Sequence, residues 1–463
     1  MKRLAAVALA LFVAVCLFAE QLDKKQWSRL RRNLDKAVRM GDAEAFRGVV
    51  AEMAQDDSER AVGMLLKAVR AVQDEETFNA LRDALASMRS DEATAALLKE
   101  ALSGRDANMR VMAVEAIAAR KDVNLLLKLE SVLTARKENP LVVRTVLEAM
   151  GEAGDLRIAE MLINYLERIE KERKGAFIKG TDWLEAVTAL KRIAGGKVEY
   201  HTAADWRKWL EVAKEGARTR TPGNTSNPRT SVVVVPAPRL FKKEVVSRTP
   251  IFVIDTSGSM NEQDKITAQE ADEMRRGPMP RRTTVVRSDD KDGKKKPPSP
   301  PAGKEMLVAR IERAKFQLVK LIYAMDSGVS FNIVAYDNNI RCFDKRMVKA
   351  TPANKKKAIK WVKGLTAQYM THTDEALEKA WEFVKDGCDT IYLLSDGWPT
   401  HTGDPKKDGD LLEEKILKFF RRKNFMKKIK VHTLGFKGAH KSFMKQLAKE
   451  NGGTYEDIRG LPK

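Results

Sequence analysis

The sequence predicts a multidomain protein that joins an all-α region to an α/β domain with a mostly parallel sheet. Within residues 26–215, apolar residues recur at three- and four-residue spacing, as in Ala61, Met64 and Leu65, and strand signals are almost absent. From Val245 to the end, short apolar strands alternate with amphipathic helices. This alternation is typical of a parallel sheet that is covered by helices on both faces.

The composition bounds the number of domains and the class of partner. The chain has 463 residues, a length that favours two or three domains. Its net charge of +21 indicates an acidic or anionic partner, with a solvated basic surface as the alternative explanation. Cys342 and Cys388 flank predicted strands and are interpreted as buried free cysteines. No closely spaced set of cysteines and histidines predicts a zinc site.

The amino terminus has the features of a secretory signal peptide over residues 1–19. Two basic residues precede the apolar run Leu4–Phe18, which is shorter than the 20 or so residues of a membrane span, and the small Ala19 follows. The protein is therefore expected to be secreted or periplasmic. Leu17 at the minus-three position leaves an uncleaved membrane anchor as the alternative, and lipidation of Cys16 is disfavoured because the residue before it is large. No other stretch is long and apolar enough to span a membrane.

The helical region shows weak internal similarity. The segment that begins at Met109 resembles the one that begins at Val143, and their arginines Arg110 and Arg144 stand 34 residues apart. A period in this range is typical of helical-hairpin repeats. The pattern resembles HEAT repeats, in which each unit buries one face against its neighbours. We therefore assign residues 26–215 to a HEAT-like repeat domain, with a plain helical bundle as the alternative.

Two segments lack the apolar residues of a packed core. Residues 216–244 are interrupted by prolines, glycine and asparagines, which predicts a linker. Residues 262–303 carry many arginines, the run Lys294–Lys296 and several prolines, so they cannot repay the entropy of ordering. We predict that they form a disordered basic loop between the first strand of the α/β domain and its first helix, which is expected over Met306–Met325.

Polar side chains occur where predicted strands end or a helix begins. Asp255, Ser257 and Ser259 follow one strand, Thr371 precedes a helix, and Asp396 follows another strand. Because ligands bind at the carboxyl ends of the strands in such sheets, we expect these side chains to converge. Their carboxylate and hydroxyl oxygens are hard ligands that suit Mg²⁺ or Mn²⁺. The glycine between the two serines is expected to relieve crowding.

These three segments resemble the metal-ion-dependent adhesion site (MIDAS) of von Willebrand factor A (vWA) domains. The matching motifs are D-x-S-x-S, T-x-x-x-x-A-L and S-D-G, in this order and at the expected strand ends. The resemblance covers residues 245–463 and implies a Rossmann-like vWA domain. It also implies a metal site, often with water between the ion and the last carboxylate, formed by Asp255, Ser257, Ser259, Thr371 and Asp396. Thr373 is the less favoured threonine, and Tyr369-Met370 replaces the glycine pair that usual members have before the threonine.

The resemblance implies a protein-binding module in which the metal contacts an Asp or Glu of the partner, with the helical repeats as scaffold. The alternative is a basic scaffold that binds an anionic polymer through its insert, the metal being structural. No specific nucleic acid is expected as a partner, and the oligomeric state stays open. The sequence lacks the phosphate-binding loop, H-E-x-x-H and G-x-S-x-G motifs, so no enzyme is expected. His372 and His401 are interpreted as solvated rim histidines.

Overall fold

The computed structural model describes residues 22–196, 200, 202–218, 238–278 and 306–460. The predicted signal peptide, most of the linker and the later part of the insert lie outside the described residues. Contacts divide the described chain into two units. The first comprises 22–172, 182–218 and 425–427, and the second comprises 173–181, 238–424 and 428–460. No helix in the described ranges has both the length and the apolar character needed to cross a bilayer.

The first unit is built from α-helices, which confirms the predicted fold class of this region. The helices run over Lys24–Met40, Ala43–Ala54, Glu59–Ala68, Glu75–Ser87, Asp91–Ser103, Ala107–Ala119, Val123–Leu127, Glu130–Thr134, Pro140–Ala153, Leu156–Glu172, Thr181–Ile193 and Ala203–Arg218. Their buried faces are formed mainly by alanine, leucine, valine and isoleucine.

The helices of the first unit recur in pairs with a step of about 32 residues. The first members of four successive pairs begin at residues 43, 75, 107 and 140, and the second members at 59, 91, 123 and 156. At the start of most of these helices, a side-chain oxygen accepts a hydrogen bond from a backbone N–H that has no partner within the helix. These capping residues are Asp42, Ser58, Asp74, Ser90, Asp106, Asp122 and Asn139. The regular step supports a helical repeat, and its assignment to HEAT repeats stays a prediction.

The first members of the pairs pack on one another in chain order. Arg110 and Arg144, which occupy similar positions in two of these helices, are both buried. Arg110 forms a bidentate ion pair with Glu138, with N–O distances of 2.6 and 2.8 Å. Close packing also constrains Gly151, near the end of its helix, because a Cβ there would stand 2.7 Å from the Cβ of Ala189.

We expect Gly151→Ala to lower the free energy of opening of the Pro140–Ala153 helix by about 1–3 kcal/mol, because the added methyl group must push against Ala189. Gly48→Ala is the matched control, since Gly48 is exposed within the Ala43–Ala54 helix and a Cβ there meets nothing within 4 Å. That change should stabilise its helix by about 0.5–1 kcal/mol. Native-state hydrogen exchange of the two helices measures both effects. Unchanged protection in Gly151→Ala would contradict the close packing.

The second unit is an α/β domain, as predicted. Its strands are β1 (Arg239–Leu240), β2 (Lys243–Glu244), β3 (Pro250–Asp255), β4 (Gln263–Ile266), β5 (Met306–Ala309), β6 (Ser330–Tyr336), β7 (Ile340–Cys342), β8 (Val348–Lys349), β9 (Thr390–Ser395), β10 (Lys430–Gly435) and β11 (Tyr455–Asp457). The main sheet has seven strands in the order β11-β10-β9-β3-β6-β7, and β8 also pairs with β6. The five strands from β11 to β6 are parallel, whereas β7 and β8 run antiparallel to β6.

Helices cover both faces of this sheet. They run over Arg310–Ala324, Pro352–Lys363, Thr373–Trp381, Pro405–Asn424 and Lys441–Glu450. A further helix, Ala268–Arg276, packs with β4 and β5 instead. Successive residues of β3 enter different cores: Phe252 and Ile254 join one apolar cluster, and Ile251 and Val253 join the other. Burial on both faces explains why β3 is an unbroken apolar run rather than an alternating one. Cys342 and Cys388 are both free, and Cys388 is buried while Cys342 is partly buried.

The prediction of disorder over residues 262–303 is wrong for its first part. Residues 263–266 form β4, which pairs antiparallel with β5, and the Ala268–Arg276 helix follows. Ile266, Ala271 and Val308 form a small apolar cluster, and the buried Asp264 is held by two arginines. These contacts offset the ordering entropy that the composition alone made prohibitive. Residues 306–309 form β5 opposite β4, so the helix expected from Met306 begins only at Arg310.

Candidate metal centre

The carboxyl end of β3 is the point at which the strand order of the parallel sheet reverses. β3 pairs with β6 on one side and with β9 on the other. In open parallel sheets, ligands bind in the crevice outside such a point. Asp255 is the last residue of β3, and Asp396 directly follows β9. The parallel register therefore carries both carboxylates to the same edge of the sheet.

Asp255 is fully buried and is held by the backbone and by side chains of neighbouring strands. Its Oδ1 accepts the N–H of Ser257 at 2.8 Å, a short-range bond that turns the chain sharply after β3. Its Oδ2 accepts the hydroxyl of Ser395 at 2.6 Å and lies 3.4 Å from the hydroxyl of Tyr336. Burial raises the pKa of Asp255, and the hydrogen bonds oppose that effect. The carboxylate is thus fixed in place beneath the surface.

The two serines of the loop connect the two carboxylates. The Oγ atoms of Ser257 and Ser259 lie 3.2 Å apart, and the Ser259 hydroxyl donates to Asp396 Oδ1 at 2.7 Å. The N–H of Gly258 donates to the carbonyl oxygen of Tyr369 at 2.9 Å, which ties this loop to the segment before Thr371. A Cβ at residue 258 would meet only backbone atoms of Tyr369, the oxygen at 3.5 Å and the nitrogen at 3.9 Å. The structure therefore does not support the expected crowding between the serines as the reason for a glycine.

Thr371 reaches the same place from a third loop. It forms an isolated antiparallel bridge with Thr400 and is largely buried. Its Oγ1 lies 3.6 Å from the position that a Cβ on Gly397 would take, and the Ser259 Oγ lies 3.9 Å from that same position. The hydroxyls of Thr371 and Ser259 thus flank Gly397 together.

Four of the five predicted ligands line one cleft with a volume of about 460 Å³, and Asp255 lies buried beside Ser257. The other residues of the cleft include Glu262, Arg310, Tyr369, Trp398 and Lys437. Thr373 is not among them, because its hydroxyl lies 3.3 Å from that of Tyr336 in the interior. The structure brings all five predicted side chains together, and the Thr373 hydroxyl lies outside the cleft beside Tyr336.

Arg310 is the residue of this site that sequence reasoning missed. Its side chain is buried, and its Nη1 donates to Asp396 Oδ2 at 2.6 Å. Its Nε donates to Asp264 at 3.2 Å, and its Nη2 donates to Glu262 at 2.7 Å. Burial opposes the positive charge of Arg310, but the bonds to Asp396 and Asp264 raise its pKa overall. The only available sequence signal was a basic residue at the start of an amphipathic helix, which is ordinarily a solvated position.

The electrostatics of the cleft favour a cation. Burial raises the pKa of Asp396 to about 7, and the negative charge of Asp255 adds to this effect, whereas Arg310 lowers it. Two carboxylates that share a buried site cannot both ionise at low cost unless positive charge is added. The available donors are two carboxylates and three hydroxyls. This set of hard oxygen ligands fits Mg²⁺ or Mn²⁺.

No protein-family model matches the chain. A segment of 150 residues is 27% identical to the von Willebrand factor A domain-containing protein 3A of Homo sapiens, and it covers 31% of this chain and 12% of that protein. This similarity supports vWA-domain homology. Among solved structures, a von Willebrand factor type A protein from Catenulispora acidiphila has a TM-score of 0.29 at 15% identity, covering 45% of this chain and 37% of that chain. The BatB protein of Bacteroides thetaiotaomicron has a TM-score of 0.28 at 13% identity, covering 46% and 91%.

In the vWA-like unit, we expect Arg310→Met to lower the free energy of unfolding by about 3–5 kcal/mol in metal-free buffer, because Asp396 loses its buried cationic partner. Arg239→Met is the matched control, since Arg239 pairs with Glu244 on the surface, where both side chains are about half exposed. That change should cost less than about 1 kcal/mol. Hydrogen exchange of β9 in the full chain reports both values. Equal protection in the two variants would show that Arg310 does not stabilise the site.

Proposed function

We propose that the vWA-like unit is a metal-dependent protein-binding module. In this proposal Asp255, Ser257, Ser259, Thr371 and Asp396 hold Mg²⁺ or Mn²⁺. The observation that carries the proposal is the series of contacts between the two buried carboxylates. The backbone N–H of Ser257 donates to Asp255, the Ser257 hydroxyl contacts that of Ser259, and the Ser259 hydroxyl donates to Asp396. Homology with vWA domains suggests protein interaction as the general role.

The charge of the cleft favours an acidic group of the partner. A bound divalent ion would supply a coordination position for an oxygen anion, and two carboxylates together with neutral hydroxyls would leave the site with little excess negative charge. Arg310 already offsets part of the charge of Asp396, and Lys437 adds a cation to the lining of the cleft. We infer that the partner offers an Asp or Glu side chain.

The rim of the cleft supports a protein rather than a small-molecule partner. Tyr369 is 62% exposed and has a positive φ of 65°, a conformation that costs a non-glycine residue free energy. Its carbonyl oxygen is held by Gly258, and the next N–H donates to Asn338 Oδ1 at 2.7 Å. These bonds maintain the strained turn and keep the tyrosine ring in solvent. Exposed aromatic residues of this kind are enriched at protein interfaces.

The remaining parts of the proposal concern the rest of the chain. We infer that the helical unit acts as a scaffold and a second interaction surface, and that the protein is secreted or periplasmic. The alternative of an anionic polymer bound through the basic insert depends largely on residues 279–305, which lie outside the described residues. The response of partner binding to EDTA and to salt separates this alternative from metal-dependent binding.

We expect calorimetry on the full chain to detect Mg²⁺ binding that Asp255→Asn abolishes. With a dissociation constant of about 0.1 mM and about 1 mM Mg²⁺, linkage stabilises the unit by roughly 1.4 kcal/mol, so its melting temperature should rise modestly. Asp337→Asn is the matched control, because Asp337 directly follows β6 and is buried but contacts Arg341 and Thr256 instead. Equal Mg²⁺ affinity in both variants would remove the site assignment.

We expect a protein captured by the full chain from the producing organism's extracellular fraction to be released by EDTA. Added salt should mainly slow association, because it screens attraction between the basic surface and an acidic partner. Asp396→Asn should abolish stable binding, since direct coordination is short-ranged. Surface plasmon resonance separates the two effects, and Asp337→Asn again serves as control. Binding that persists in EDTA and is lost in high salt would favour the anionic-polymer alternative.

A further inference from the structure

A second cluster of metal-binding side chains lies outside the cleft. His372, Glu375 and His401 each offer one ligand atom, and these three atoms lie within 4.8 Å of one another. None of the three side chains lines the cleft of the predicted magnesium ligands. We propose that the His372–Glu375–His401 cluster binds Zn²⁺ or a similar transition-metal dication. This site is independent of the proposed function, because it shares no ligand with the magnesium site.

The fold brings the two histidines together through their backbone. Thr371 and Thr400 donate N–H groups to each other's carbonyl oxygens at 3.2 and 3.0 Å, which holds the two segments that carry His372 and His401 side by side. The rings of His372 and His401 stack with centroids 4.0 Å apart. Glu375 lies three residues after His372 at the start of a helix, a spacing that places both side chains on one face. The fold therefore places the three side chains next to one another.

His372 contradicts the interpretation of a solvated rim histidine. Its side chain is only 16% exposed, and its Nδ1 is buried and has no hydrogen-bond partner in the described part of the chain. A buried nitrogen without a partner costs free energy that a metal ligand bond would recover. The nearest carboxylate oxygen, Oε1 of Glu375, is 3.5 Å away. Ligand atoms of a tetrahedral zinc site stand roughly 3.4 Å apart, so this pair already has the required separation.

His401 is oriented by a carboxylate that is not one of the three ligands. Asp374 Oδ1 lies 2.8 Å from His401 Nε2, and its Oδ2 accepts from Lys415 at 2.6 Å. Asp374 is therefore a carboxylate that accepts from the imidazole and fixes its ring. Carboxylates in this outer position are typical of metal-binding histidines.

The ligand types select a different ion from the one expected in the cleft. Two imidazoles and a carboxylate suit zinc and neighbouring transition metals, whereas the carboxylates and hydroxyls of the cleft suit magnesium or manganese. Asp374 and Glu375 bring two negative charges to the cluster, and Lys415 brings one positive charge. The local charge thus favours a dication. Three protein ligands would leave one position of a tetrahedral shell for water or for a side chain of a partner.

The test is a calorimetric Zn²⁺ titration of the full chain, free of any polyhistidine tag and in excess Mg²⁺. One zinc ion should bind per chain, and His372→Gln, Glu375→Gln and His401→Gln should each weaken its affinity at least about 10-fold. His440→Gln is the matched control, because His440 pairs with Glu413 outside the cluster. Substitution with Co²⁺ should give the visible absorption of a tetrahedral site in the wild type and in the control only.

Two further measurements keep the result decisive. Glu375 is about half exposed, so Glu375→Gln should fold normally, which unchanged thermal melting in metal-free buffer would verify. Asp255→Asn should lose Mg²⁺ binding and retain Zn²⁺ binding, so a failure of the magnesium site is distinguishable from a failure of this one. Zinc affinity that is equal in the wild type and the three cluster variants would overturn the proposal. Wild-type binding weaker than about 0.1 mM would overturn it as well.

Discussion

Two buried carboxylates at the ends of adjacent parallel strands determine the architecture of the cleft. Asp255 ends β3, Asp396 follows β9, and the register of the two strands leaves them no freedom to separate. Burial raises the pKa of both groups, and the negative charge of Asp255 adds to this effect at Asp396. The hydroxyl of Ser395 donates to Asp255, and the hydroxyl of Ser259 and the guanidinium of Arg310 donate to Asp396. These donors are best understood as partners that the two carboxylates require.

Arg310 shows how the same constraint extends into the inserted segment. Its guanidinium reaches Asp396 on one side and Asp264 on the other, and Arg313 binds the second oxygen of Asp264 at 2.8 Å. The β4–β5 pair therefore helps to balance buried charge. It places the Asp264 carboxylate beside Arg310 and Arg313, at the start of the helix that follows β5. An exposed ion pair contributes little to stability, but a buried network of this kind is costly to break. Any cation that enters the cleft must share Asp396 with Arg310.

The sequence predicts what depends on local pattern and misses what depends on distant partners. The strand Ser330–Tyr336 was predictable to the residue because its apolar run is bounded by turn residues. The helical step was also present in the sequence, because capping residues recur every 16 or so positions from Asp42 to Asn139. The spacing of Arg110 and Arg144 reflects only part of this regularity. The order of residues 263–276 was not predictable, because it depends on pairing with a strand some forty residues later.

The pair Thr371–His372 illustrates why the site could be predicted only in part. Motif spacing identified Thr371, whose hydroxyl faces the cleft, but it carried no information about the adjacent side chain. His372 does not line that cleft. Its neighbour His401 comes from a loop that the bridge between Thr371 and Thr400 holds beside it. One backbone segment thus supplies a hard oxygen to one cluster and an imidazole nitrogen to another. Because imidazole nitrogen suits transition metals, Mg²⁺ would not readily displace such a metal from the histidine cluster.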